Sequence, residues 1–230
     1  MEKKFDEILA EAATEIGVSL DDEQLSRFTR YYSELLAWNR KMNLVSVKSS
    51  LDIPIKHFID SLTPLPYLMN PSARLLDIGT GAGFPGIPMK IALPSLMVFL
   101  LESSRKKTSF LKHIIRTLGL DKTTVIHNRV EYLMANGAYR NAFDIMISRA
   151  TFKLPVLLQI GAFFLTGNGI AIAMKGKQAT EEMKEAVGLC DTLGFFCLSC
   201  HDIQLPVTHD SRKIILFKKV PLCSRSKYFF

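Results

Sequence analysis

Residues 74–86 read Arg-Leu-Leu-Asp-Ile-Gly-Thr-Gly-Ala-Gly-Phe-Pro-Gly. An apolar run reaches an acid and then meets Gly79, Gly81 and Gly83, followed at once by Pro85. Glycines placed this densely let the backbone take positive φ and approach a neighbour where a Cβ would collide. Proline suits the first turn of a helix, where its missing N–H costs nothing. The segment therefore predicts a buried strand, a tight turn and a helix. Such a unit must be completed by further parallel strands with helical crossovers.

The rest of the chain supplies them. From Ser72 onward, strand-like runs are expected at Arg74–Asp77, Met97–Glu102, Thr124–His127, Phe143–Ser148 and Gly169–Met174. Helical segments fit between and after them at Pro85–Ala92, Ser104–Leu118, Val130–Asn136, Leu154–Leu165 and Thr180–Leu193. Two final runs, Phe196–Ile203 and Lys213–Lys219, are separated by a turn instead of a helix and predict an antiparallel hairpin on the sheet edge. The fold class expected is α/β, with a mostly parallel Rossmann-like sheet closed by that hairpin. Residues 1–70 read differently. Phe5, Ile8, Leu9, Ala12, Ala13 and Ile16 recur at helical spacing, and Gly17 suits that helix's end. Ser19-Leu-Asp-Asp22 has the form of a capping box for a second helix through Leu25, Phe28, Tyr32 and Leu36. A third helix is expected from Asp52 towards Leu62, before a proline-rich linker. This divides the chain into a helical region over 1–70, a sheet domain over 71–220 and a tail over 221–230.

No apolar stretch approaches the roughly 18 residues that a membrane helix needs, and nothing at the N-terminus reads as an export signal. A cytoplasmic protein without a membrane partner is expected. Cys197-Leu-Ser-Cys200-His201 matches a haem-attachment pattern, but it lies in a strand-like run of a chain with no export signal. Strand cysteines, with no metal bound, are the expectation. A net charge of +7 and a pI near 9.2 point to an anionic partner, nucleic acid foremost.

In an open α/β sheet, ligands gather beyond the carboxyl ends of the strands. Those ends carry Asp77 with the glycine turn, Glu102, Asn128-Arg129-Val130-Glu131, Ser148-Arg149 and Lys175-Gly176. Glu102 can accept from the two hydroxyls of a ribose. Two ligand classes fit the turn. Gly81-Ala-Gly83-Phe-Pro-Gly86 matches the G-x-G-x-x-G of dinucleotide sites, which implies an NAD-dependent oxidoreductase. Asp77, two residues before the first glycine, favours the cationic amino-acid end of S-adenosylmethionine and would repel a pyrophosphate. Arg149, at the end of an apolar strand, needs an acceptor; Asp144 and Glu131 are candidates, as is a role in shaping the donor site.

Trp38-Asn-Arg-Lys-Met-Asn43-Leu44, His57-x-x-Asp60-Ser61-Leu62, Leu76–Ile87 around the glycine turn, Glu102-Ser, Arg129-Val-Glu131, Ser148-Arg-Ala150 and Met174-Lys-Gly176 follow one another in a recognisable order. Together they resemble the GidB/RsmG family of small-subunit rRNA methyltransferases. The resemblance implies methylation of guanine N7 in a loop of 16S rRNA, with S-adenosylmethionine as donor and 16S rRNA or the small ribosomal subunit as partner. Carried over by position, Gly79, Phe84, Val130, Glu131 and Arg149 would contact the donor, beside Asp77, Gly81, Gly83 and Glu102. Arg149 and Lys175 would act at the acceptor base. Asn39, Arg40, Lys41, Asn43, His57, Lys106, Lys107 and Lys175 would meet RNA. Val45 and Ser211-Arg212 depart from the family pattern, on the substrate side or in packing. A methyltransferase for another RNA or a small molecule remains an alternative, as does an RNA-binding module with a vestigial donor site.

Overall fold

A computed structural model describes residues 4–49, 51–176 and 179–220; the expected tail over 221–230, with Cys223, lies outside them. Helix α1 (Phe5–Glu15) ends as read, with Gly17 at φ +77° just past its cap. Helix α2 (Asp22–Met42) does form, but its capping box is shifted from the expected Ser19…Asp22. Asp21 accepts from the Gln24 backbone N–H at 2.8 Å, and the Gln24 side chain accepts from the Asp21 N–H at 2.9 Å. That pair satisfies two N–H groups the helix cannot satisfy itself. The third helix is irregular: a π-helical segment, Asp52–Ile59, runs straight into a short α3, Asp60–Leu62.

The sheet strands are β1 (Arg74–Ile78), β2 (Met97–Glu102), β3 (Thr123–His127), β4 (Phe143–Arg149), β5 (Leu165–Gly176), β6 (Phe195–Gln204) and β7 (Ser211–Lys219). Their order is β3-β2-β1-β4-β5-β7-β6; the first five are parallel, while β7 runs antiparallel between β5 and β6. The order reverses at β1, so the crevice beyond the carboxyl ends of β1 and β4 is where such a sheet admits a ligand. Strand β5 is longer than the sequence suggested, because the chain passes from α7 (Leu154–Phe164) into it without a turn.

Helices cover both faces. On one, α4 (Gly86–Ala92) and α5 (Arg105–Leu118) pack against the sheet together with the N-terminal helices, in one apolar cluster that includes Leu9, Phe28, Tyr31, Leu35, Phe58, Ile87, Phe110 and Leu216. On the other, α6 (Val130–Ala135), α7 and α8 (Thr180–Leu193) enclose Leu133, Phe143, Met146, Leu158, Phe164 and Phe217. Phe28, Phe58 and Tyr31 are fully buried, and each contributes about 1.5–3 kcal/mol through its buried area. Phe58 meets Phe28, Tyr31 and Phe84 edge-on at 5.1–5.6 Å. The N-terminal helices thus share their core with the glycine turn, through Phe84. Trp38 belongs to the same packing, with its ring 5.5 Å from Phe110 and 5.1 Å from His113.

Candidate active site

A cleft of about 470 Å³ lies beyond the carboxyl ends of β1, β2 and β3. Of the residues expected to hold a donor, Gly79, Glu102, Val130 and Glu131 line it; Lys107, expected to meet RNA, lines it too. Asn128, Arg129, Thr151 and Phe152 complete the wall. Thr151 and Phe152 were missed as site residues, since they carry no motif. Their only signal is position, immediately after a strand end.

The three glycines do different work. A Cβ on Gly81 would meet nothing within 4 Å, and φ there is +63°, so this residue faces open space beside Glu102. A Cβ on Gly83 would fall 2.5 Å from Ile87 and 2.7 Å from the Tyr31 hydroxyl. The expectation that all three glycines admit a ligand therefore narrows. Gly83 admits protein, because Tyr31 reaches under the turn to donate to the Ala82 carbonyl. Glu102 is buried at the cleft floor and accepts from Gly81 N–H at 3.0 Å and Ser104 N–H at 2.8 Å.

Asp77 sits apart from the cleft. Its side chain is fully buried and accepts from the Thr80 hydroxyl at 2.6 Å and the Gly86 N–H at 2.8 Å, so it braces the turn from beneath. Burial pushes its carboxyl up to about 6, against the hydrogen bonds from Thr80 and Gly86. This geometry bears on the two ligand classes. A pyrophosphate would use the N–H groups at the start of α4. Here the Gly86 N–H is spent on Asp77, and the Phe84 and Ile87 N–H groups bond within the turn. Two carboxylates, Glu102 and Glu131, face the cleft instead. They suit ribose hydroxyls and a cationic amino acid, the groups of S-adenosylmethionine, and share the cleft with Lys107 and Arg129.

Phe84 and Arg149 turn away from the cleft. Phe84 is buried and stacks on Tyr31 with ring centroids 5.5 Å apart. Arg149 reaches neither Glu131 nor Asp144; Asp144 accepts from the Arg74 N–H. Its guanidinium donates to the Lys56 carbonyl at 3.1 Å, lies 3.5 Å from Asp60 Oδ2, and covers the Phe84 ring at 5.2 Å. The physical reason is burial: only the N-terminal helices bring an acceptor to a guanidinium held over an apolar ring. His57 sits beside it, with Nδ1 3.4 Å from an Arg149 nitrogen. Burial, then the Arg149 charge, lowers the His57 imidazole to about 4, so it is neutral. His57 and Asp60 do not hydrogen-bond one another; both meet Arg149.

Lys175 was expected at the acceptor base. Its amine instead forms an ion pair with Glu182 at 2.8 Å and donates to the Phe152 carbonyl. Glu182 also accepts from the Leu154 N–H at 3.0 Å, so the three groups hold the turn that carries Thr151 and Phe152. Asn39 and Asn43 likewise shape backbone: Asn39 accepts from the Val45 N–H at 2.9 Å, and Asn43 ends α2 at φ 48°. Arg40, Lys41 and Lys106 are exposed. Among the described residues, no group of three or more His, Cys, Asp or Glu side chains could hold a metal ion, and no helix is long and apolar enough to cross a membrane.

The family model for rRNA small subunit methyltransferase G (GidB) matches residues 24–214. A protein of that description from Syntrophus aciditrophicus is 46% identical over 213 residues, covering 92% of this chain and 88% of the relative. One from Acetivibrio thermocellus is 40% identical over 218 residues, covering 95% and 90%. The chain belongs to the rRNA small subunit methyltransferase G family. It is an rRNA methyltransferase enzyme, as the order of its motifs implied. Solved structures agree in fold. TYW2 from M. jannaschii, in complex with AdoMet, superposes with a TM-score of 0.54 at 13% identity, over 75% of this chain and 77% of that one. The precorrin-6y C5,15-methyltransferase of Geobacter metallireducens gives 0.53 at 14%, over 70% and 86%.

Proposed function

We propose that the chain methylates guanine N7 in a loop of 16S rRNA, with S-adenosylmethionine seated in the cleft between Gly79 and Glu131. The observation that carries the donor assignment is the Asp77–Gly86 bond, which closes the anion site at the turn while Glu102 and Glu131 face the cleft. When bound, the donor supplies a methyl group activated by a sulfonium. Glu102 would accept from the ribose hydroxyls, exchanging its bonds to Gly81 and Ser104 for them. Glu131, with Asn128 and Arg129 beside it, would hold the remaining polar ends.

Guanine N7 carries an in-plane lone pair and no proton, so transfer to it requires no general base. What the protein must supply is alignment of N7 with the methyl carbon, which turns a bimolecular encounter into a positioned one. Contacts to the base must leave N7 free, so a cationic donor would read O6 in place of the usual bidentate pair. Arg149 would make this contact from the end of β4, where its guanidinium lies beside the N-terminal helices. Lys175 would act at one remove, by holding the Phe152 carbonyl and hence the cleft wall. The exposed Arg40, Lys41 and Lys106 would meet phosphates, and the N-terminal helices would form the RNA-facing side.

The test uses methyl-labelled donor with naked 16S rRNA and with small subunits lacking the modification, followed by nucleoside analysis. Label in 7-methylguanosine supports the reading. Label in another nucleoside moves the acceptor atom, and no transfer to either RNA form, with donor binding confirmed by calorimetry, removes it.

A further inference from the structure

The segment His57-Phe-Ile-Asp60 is prominent in the sequence, yet nothing above gives its acid a part in the reaction. Asp60 is 4% exposed, at the junction of the π-helical segment and α3. Two guanidiniums converge on it: Arg149 from the end of β4, 3.5 Å from Oδ2, and Arg212 from the start of β7, with Nε 3.3 Å from Oδ1. Arg212 is paired in register with Gly176, so it stands at the rim where β5 ends. One carboxylate from the N-terminal helices therefore spans two strand ends that lie on either side of β5 in the sheet.

Burying three charges is a poor way to gain stability. Their desolvation offsets most of the attraction, and apolar side chains of similar size hold two elements together as well. The N-terminal helices already have that apolar attachment, through Phe28, Tyr31 and Phe58. What an ion trio adds is direction. The Lys56 and His57 carbonyls fix Arg149 on one side, and Ser211 O accepts from Arg212 at 3.1 Å. Both guanidiniums keep part of their surface exposed, with side chains 17% and 21% accessible. Two guanidiniums on one carboxylate leave donors remaining for oxygen acceptors.

We propose that Asp60 is a positioning residue for methyl transfer, a single buried carboxylate that orients Arg149 and Arg212 together toward the oxygens of the acceptor nucleotide. This rests on the proposed role of Arg149 at the acceptor base. Arg212 enters the site through Asp60, and the two arginines act as one unit. Removing the shared anion leaves two like charges unpaired and lets each guanidinium leave its place.

The experiment compares Asp60→Asn, Arg149→Gln and the double variant in the full-length chain, with small subunits as acceptor. It reads initial transfer rates, donor affinity by calorimetry and urea midpoints. Asp60→Asn, with nearly the same shape and no charge, is expected to lower kcat/KM for the acceptor about tenfold or more, with donor affinity within about twofold. The double variant should be no slower than the slower single within about twofold, since both changes disable one unit. Multiplying effects, a parallel loss of donor affinity, or a normal rate in Asp60→Asn beside a slow Arg149→Gln would each overturn the role of Asp60. A normal rate in Arg149→Gln would remove the underlying acceptor-side assignment instead. Should Asp60→Asn fail to fold, Arg212→Lys keeps the charge and loses the Nε contact. A drop of about fivefold is then expected, and a rate within about twofold of the parent overturns the proposal.

Discussion

At the residue scale, single atoms decide what the glycine turn can hold. A Cβ on Gly81 meets no protein atom within 4 Å, so Gly81→Val is expected to fold, with about 1–2 kcal/mol lost to the left-handed backbone. Its branches would enter the space assigned to the donor, and donor binding should be abolished in calorimetry; unchanged affinity would refute the assignment of the turn. Two titrations have opposite signs. The Asp77 carboxyl is raised to about 6 in the folded protein, so the native state binds the extra proton between pH 4 and 6. Its contribution to stability is greatest below pH 4 and falls by up to about 3 kcal/mol as the pH rises through that window. His57 is lowered to about 4, so its contribution is complete above pH 6.5 and is lost as the pH falls towards 4. Urea unfolding across pH 4–7 checks both. Relative to the parent, Asp77→Asn should remove a falling slope and His57→Gln a rising one.

At the element scale, the cleft depends on how helices hold its loops. Glu182 on α8 accepts from the first N–H of α7 and pairs with Lys175, whose amine holds the Phe152 carbonyl. Read from sequence alone, Lys175→Ala would slow transfer and spare the donor. The structure reverses that expectation: Lys175→Met should loosen the Thr151–Phe152 wall and weaken donor affinity several-fold, which calorimetry would show. Helix α2 offers a simpler case. Asp21→Ala removes the side-chain acceptor of its capping box and should cost about 1 kcal/mol of unfolding free energy, with no change in donor affinity.

For the whole molecule, the +7 charge becomes meaningful through where it is displayed. Arg40 and Lys41 end α2, and Lys106 opens α5, all exposed. Each phosphate contact to single-stranded RNA steepens the salt dependence of affinity by about 0.7 in log–log slope. Neutralising all three should therefore flatten that slope by about 2, measured by filter binding of a loop fragment across salt concentrations. An unchanged slope would place the RNA on another face.

The sequence by itself determined the strand–turn–helix unit, the parallel succession of strands and the hairpin at the edge. Each of these rests on local rules: glycine conformational freedom, the spacing of apolar residues, and which residues can begin or end a helix. It also ordered the motifs that mark the family, and it brought Glu102 and Glu131 to one rim, because residues after parallel strands must gather at one end of the sheet. Tertiary structure alone decided which way the charged side chains turn. Asp77 went beneath the turn to Gly86, Arg149 went to Asp60 instead of the donor, and Lys175 went to Glu182. The partners of Arg149 and Asp77 lie 89 and 9 residues away in sequence. A buried polar group takes whichever complement the packed helices bring within reach, and its own neighbours in the chain do not specify that choice. The glycine turn follows the same division. Its conformation is local, but Tyr31, arriving from α2, decides that Gly83 admits protein, while Gly79 lines the cleft and Gly81 faces open space.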